Sequence, residues 1–218
     1  MGPVLLRPPW RVHVHGAELV PRTGPVVLAS NHAGFLDGPM LVGLSPRGVH
    51  CLVKSEMCRG PLGMVLRAGG QIAIRRDRAD RSALQAALGV LARGGVVGIF
   101  PEGSRGRGDM AEVRAGIAWL AVRSGAMVVP VACLGTRRTG ESPHRLAPFG
   151  RRLDLVFGAP VDVTPQEGAS GRQALATAAE SIRRVLAEHV RAAAEATGQE
   201  LPQDDPLAVR RGAEGDPG

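Results

Sequence analysis

Short apolar runs bounded by glycine or proline recur along this chain, and segments with helical spacing lie between them. VVLASNH (26–32) follows Gly24-Pro25 and reads as a buried strand leading into a loop. GVHCLVK (48–54), QIAIRR (71–76), VVGIF (96–100) and MVVPVACL (127–134) read as further strands. RLDLVFGAPV (152–161) alternates less cleanly but fits the same pattern. PMLVGL (39–44) predicts a short helix, with Pro39 suited to its first turn. Residues 55–69 predict a helix broken near Gly60-Pro61. Over 79–95, Leu84, Leu88 and Leu91 form a helical stripe that Gly94-Gly95 stops. Residues 115–125 predict a helix ended by Gly125.

A last helix is expected over 172–196, with Leu175, Ile182, Val185, Leu186, His189 and Val190 on one face. Such a stripe fits docking on the domain, or lying on a membrane surface. Docking makes His189 a packed residue rather than a ligand. From Gln199 onward Pro, Asp, Gly and Arg dominate. The expected organisation is one domain over 1–198 and a disordered tail over 199–218. Strands alternating with helices predict a single α/β domain with a largely parallel central sheet flanked by helices. In such folds ligands gather at the carboxyl ends of the strands. Both unusual loops, 30–37 and 101–109, directly follow a strand.

Composition narrows the partners. The formal charge is +7, which attracts nucleic acid, an anionic membrane or a phosphorylated substrate. With four Phe, two Trp and no Tyr, the chain lacks aromatic platforms for single-stranded nucleic acid. Lys54 is the sole lysine, and short arginine runs such as Arg137-Arg138 and Arg151-Arg152 read as a solvated face. Cys51, Cys58 and Cys133 form no disulfide framework, so a reducing compartment is expected. Their spacing, with His50 included, fits no zinc pattern, and no metal is expected. The apolar patch at the start is cut short by Pro8-Pro9, and no apolar run approaches the roughly 18 residues that span a bilayer. Membrane contact is therefore expected to be peripheral.

The candidate chemistry starts with His32 and Asp37. On a regular helix, five residues turn the direction by roughly 500°, leaving two side chains about 140° apart. A loop entering a helix can instead fold Asp37 back onto one imidazole nitrogen of His32. The other nitrogen can then accept a proton, with the carboxylate holding the tautomer and steadying the imidazolium. Ser30 lies close by but outside any nucleophile elbow, so the activated hydroxyl belongs to a substrate. Alternatively, Asp37 serves as an ordinary helix cap. In the second loop, FPEGSRGRG (100–108), Gly103 lets backbone approach a ligand, and Ser104 and Arg105 can hold a phosphate. Glu102 would repel that phosphate on contact. It fits better as a partner for a hydroxyl or backbone group, or as an orienting group for Arg105. The bland alternative is a solvated glycine-arginine loop.

Together the two loops resemble the glycerophospholipid acyltransferases. The family's N-H-x-x-x-x-D block is matched by Asn31, His32 and Asp37, and its F-P-E-G-[ST]-R block by residues 100–105. Val129, Pro130 and Val131 match its V-P-V strand, KSEM (54–57) its K-x-E-L stretch, and RAG (114–116) its basic-x-G segment. The resemblance covers roughly 10–165. Its second block, commonly G-x-x-F-I-D-R, reads here GQIAIRR (70–76), so Arg75 stands at the usual Asp and Arg76 keeps the basic position. Gly34 stands where the first block often has serine. The resemblance implies a glycerol-3-phosphate-acyltransferase-like fold and transfer of a fatty acyl group to the sn-2 hydroxyl of 1-acyl-sn-glycerol-3-phosphate. The donor would be an acyl-CoA or acyl carrier protein thioester, with no other cofactor. His32 would be the base and Asp37 its support. Arg105 and Arg76 would bind acceptor phosphate, with Lys54 a further candidate, while Glu102, Gly103 and Ser104 shape that site. The expected setting is cytoplasmic, on the inner face of the cell membrane, with an anionic membrane surface as partner and no nucleic acid. The altered second block points alternatively to a related acyltransferase with a non-phosphatidate acceptor. A non-catalytic nucleic-acid module is the remaining alternative.

Overall fold

The computed structural model describes residues 9–75, 80–163 and 171–204. Seven strands make one sheet: β1 (Arg11–His15), β2 (Val26–Ser30), β3 (Val49–Lys54), β4 (Ile72–Ile74), β5 (Val96–Ile99), β6 (Met127–Leu134) and β7 (Arg152–Phe157). Their order is β1-β7-β6-β2-β5-β3-β4. The five strands from β6 to β4 run parallel. β7 pairs antiparallel with β6 and parallel with β1, so these two strands run the other way. The helices are α1 (Asp37–Leu44), α2 (Gly60–Ala68), α3 (Arg81–Ala92), α4 (Gly116–Ser124) and α5 (Gly171–Thr197). Among the described residues this is the single α/β architecture that the alternation of patterns predicts.

β2 is central, and all five of its residues are buried. A strand covered on both faces has no reason to alternate, which is why VVLAS reads as a continuous apolar run. Val27 and Ala29 join a core with Ala87, Leu91, Leu120, Ile182 and Leu186 from α3, α4 and α5. Val26 and Leu28 join the opposite core with Met40, Leu41 and Leu44 of α1 and with Trp10. Pro130 in β6 falls between the Val128–Val161 bridge and the Val131–Phe157 pair, a break where a missing N–H is tolerated.

Four details differ from the sequence pattern. β1, an edge strand with alternating Arg, Val and His, is not announced by any apolar run. α3 buries Ala83, Ala87, Val90 and Leu91, leaving Leu84 and Leu88 half-buried. α5 buries Ala174, Ala178, Ile182, Leu186, Val190 and Ala193, with Leu175, Val185 and His189 only flanking that ridge. In both helices alanines share the packed face with larger residues and let the backbone approach its neighbours closely. α5 docks on β6 and α4, so its apolar ridge belongs to the core rather than to a membrane. His189 donates from Nε2 to the Val156 carbonyl at 3.0 Å, and burial holds its pKa below the ordinary value. Finally, 199–204 runs on from α5 as a bonded strap. Gln199 donates to Asp154 at 2.9 Å and Gln203 N–H to Thr139 at 3.1 Å. The packed region thus reaches Asp204 instead of ending at 198; 205–218 lies outside the described residues.

Candidate active site

The site forms at the carboxyl ends of β2, β5 and β6. Where β2 ends, the Asn31 side chain continues its pairing with β6. Its Oδ1 accepts the Cys133 N–H at 2.7 Å and its Nδ2 donates to the Cys133 carbonyl at 3.1 Å. The chain then turns sharply and enters α1 at Asp37, which is fully buried. Oδ2 of Asp37 accepts the N–H groups of Ala33 and Gly34 at 2.7 and 2.8 Å and sits 2.9 Å from Nδ1 of His32. Oδ1 accepts the Thr136 hydroxyl at 2.6 Å. Asp37 therefore bonds backward into the turn, and no side chain caps α1. The carboxylate is an acceptor, so the proton on this edge of the imidazole belongs to Nδ1. His32 is 6% exposed and stacks on Phe100, ring centroids 4.3 Å apart.

The glycine-rich loop clasps the main chain of His32 on both sides. Oε1 of Glu102 accepts the His32 N–H at 2.9 Å, and the Gly106 N–H donates to the His32 carbonyl at 3.0 Å. Gly103 has φ +75, and a Cβ there would fall 2.2 Å from Nε of Arg114, which lies over the loop. Burial pushes the Glu102 carboxyl up to about 8; the His32 N–H works against this, while Asp109 and Asp37 add to it. A largely neutral Glu102 at pH 7 adds little repulsion toward an anionic substrate.

Arg105 stands over the Phe35 ring at 5.3 Å and donates to Nδ1 of His144 at 3.3 Å. Its Nε is buried with no hydrogen-bond partner among the described residues. Burial lowers its pKa and the nearby Asp37 charge raises it. Ser104 is half-buried in the same loop. The first and third sequence blocks thus meet, with His32, Asp37, Glu102, Gly103 and Arg105 in one constellation. Lys54 instead ends β3, two strands from β2, where it pairs with Glu56 at 3.7 Å. Arg76 lies outside the described residues. Ser30 is fully buried with its Oγ 3.2 Å from Cys133 Sγ, a thiol that burial pushes well above its ordinary pKa. Neither group is placed as a nucleophile.

Three supporting residues carry no motif. Thr136 holds Asp37. His144 reaches Arg105 from the β6–β7 connection. Arg137, counted by sequence in a solvated run, is 1% exposed. Its Nη1 donates to both carboxylate oxygens of Asp204 at 2.9 and 3.0 Å and to the Glu141 carbonyl, and its Nη2 donates to the carbonyls of Gly106 and Asp204. Gly106 in turn bonds His32, so the strap at 199–204 is wired to the His32–Asp37 turn. The only signal available in the sequence is an Arg three residues beyond a buried strand. Gly34 also has a local reason: a Cβ there would fall 2.8 Å from Thr136 Oγ1, in the space where Thr136 reaches Asp37.

A buried His–Asp pair beside an arginine-bearing loop at the carboxyl ends of an α/β sheet is an arrangement that can take up a proton next to an anion. The chain matches the Acyltransferase family model over residues 11–134 and belongs to that family. It is 26% identical over 179 residues to the 1-acyl-sn-glycerol-3-phosphate acyltransferase of Bacillus subtilis, covering 81% of this chain and 87% of that protein. It is 31% identical over 131 residues to the enzyme of the same name from Borreliella burgdorferi, covering 58% of this chain but only 52% of the relative. It is 34% identical over 151 residues to the lyso-ornithine lipid O-acyltransferase of Pseudomonas aeruginosa, covering 68% and 56%. The solved structure of the 1-acyl-sn-glycerophosphate acyltransferase PlsC from Thermotoga maritima superposes with a TM-score of 0.60 at 26% identity, covering 82% of this chain and 71% of that one.

Proposed function

We propose that this acyltransferase moves a fatty acyl group from an acyl-CoA or acyl carrier protein thioester to the sn-2 hydroxyl of 1-acyl-sn-glycerol-3-phosphate. The observation that carries the mechanism is the buried Asp37–His32 bond in the same constellation as Arg105. Nε2 of His32 takes the hydroxyl proton as the oxygen attacks the thioester carbonyl carbon. The tetrahedral intermediate collapses, the C–S bond breaks, and the imidazolium returns the proton to the leaving thiolate. Asp37 keeps Nδ1 protonated and stabilises the transient cation. Arg105 receives the acceptor phosphate, with His144 beside it and Arg76 and Lys54 as outer cations; Glu102, Gly103 and Ser104 shape the pocket. No covalent acyl-enzyme, metal or further cofactor enters the scheme. The basic chain works at the inner face of the cell membrane.

A second reading, a phosphate-free lysolipid acceptor, is favoured by Arg75 in the altered second block and by the similarity to a lyso-ornithine lipid acyltransferase. Thiol release measured with one acyl donor and a panel of lysolipids separates the two. Preference for lysophosphatidic acid, lost in Arg105→Ala through a raised KM, is the expected result. Turnover confined to phosphate-free acceptors would remove the phosphate clamp, and full activity in His32→Ala would remove the base.

A further inference from the structure

α2 is built inside out. Its sequence GPLGMVLRA is mostly apolar, yet Gly63 is its one buried residue. Leu62, Met64 and Val65 are 50, 61 and 68% exposed. The helix is held from below by backbone contact: a Cβ on Gly63 would fall 2.2 Å from the Cys58 carbonyl. Arg67 adds a bond to the same carbonyl. A glycine seat with apolar side chains turned out to solvent is what a helix shows when its true cover is another phase.

Position and charge indicate which phase. α2 follows β3, whose carboxyl end lies on the same edge of the sheet as the ends of β2 and β5 that carry the catalytic loops. Over 54–75 the chain carries Lys54, Arg59, Arg67 and Arg75 against the single acid Glu56. We propose that α2 is the membrane-docking element of this chain, its Leu62, Met64 and Val65 entering the interface of an anionic bilayer while Arg59 and Arg67 meet the headgroups. This rests on the reading of the substrates as membrane lipids. A second copy of the chain is the poorer occupant: face-to-face pairing would bring two basic rims together. The three side chains also offer roughly 300 Å², well short of the about 800 Å² per partner that stable interfaces bury.

The test is vesicle co-sedimentation of the full chain without acceptor or donor, so that its outcome does not depend on which lysolipid is acylated. Phosphatidylglycerol-containing vesicles are compared with pure phosphatidylcholine. The expected result is binding to the anionic vesicles that weakens at high salt and falls at least tenfold in a Leu62→Ser/Met64→Ser/Val65→Ser variant. Thiol release with monomeric short-chain acceptor stays within twofold of wild type in that variant. Three results would overturn the proposal: no binding by wild type, undiminished binding by the triple variant, or a dimer in light scattering that the variant disperses. Failure of the lysophosphatidic acid assignment alone would leave the vesicle result standing.

Discussion

The turn at 31–37 and the helix α2 follow β2 and β3, two strands of one sheet separated by β5, and are built on opposite rules. In the turn the polar groups are held by many bonds: Asp37 alone collects four donors, and the main chain of His32 is bonded at both its N–H and its carbonyl. In α2 the outward groups are apolar and make few contacts. Buried polar networks fix geometry because a lost partner leaves a desolvated group behind, whereas exposed apolar groups can be exchanged with little effect on the fold. The proposed chemistry thus falls where substitution is costly, and the proposed contact with an outside phase where it is cheap.

The sharpest way to break the comparison is at its chemical end. His32→Ala is expected to lower turnover roughly 10²- to 10⁴-fold while the far-ultraviolet circular dichroism spectrum is unchanged. Asp37→Asn should lose a comparable factor, because the amide favours the wrong imidazole tautomer. Turnover within a few-fold of wild type would mean that the network serves the fold alone.

Arg137→Ala comes next. It leaves the part-exposed Asp204 carboxylate and the Gly106, Asp204 and Glu141 carbonyls without this donor, and about 1–3 kcal/mol should be lost in urea unfolding. Because Gly106 bonds His32, kcat should fall too, and Arg137→Lys, which cannot fork, should recover only part of either loss. Gly34→Ser tests the space beside Thr136 and should cost about 1–3 kcal/mol.

Glu102 gives a pH signature. Its carboxyl lies at about 8 in the fold against an ordinary 4.5, so the folded state binds the extra proton between those values. Its contribution is fully present below about 4.5 and is lost as pH rises toward 8, with a slope of at most about 1.4 kcal/mol per pH unit. The difference in unfolding free energy between wild type and Glu102→Gln should show this fall; a difference independent of pH would refute it. The smallest effect belongs to α2, where Leu62→Ser should move stability by no more than about 0.5 kcal/mol in the same unfolding experiment.

Legibility followed the same divide. Asn31, His32 and Asp37, and the 100–105 block, are readable because each lies in a short block of distinctive residue types at local spacing. Arg137 and Thr136 are not readable, since their partners lie 67 and 99 residues away, and an arginine pair in a sequence looks the same in water as in a core. The Leu84–Leu88–Leu91 stripe marked the packed face, but the small residues beside it that pack most deeply, Ala83 and Ala87, were not read, because periodicity marks a face and not how closely the neighbour approaches.

By itself the sequence determined the alternation of strands and helices, the two loops and their residue types, because these depend on local propensity and hydrophobic period. Only the tertiary structure decided that Asp37 turns back to His32 instead of capping its helix, that the 100–108 loop closes on that histidine, and that Asp204 reaches Arg137. Those outcomes depend on which distant groups compete for the same buried donors and acceptors, and no local pattern records that competition.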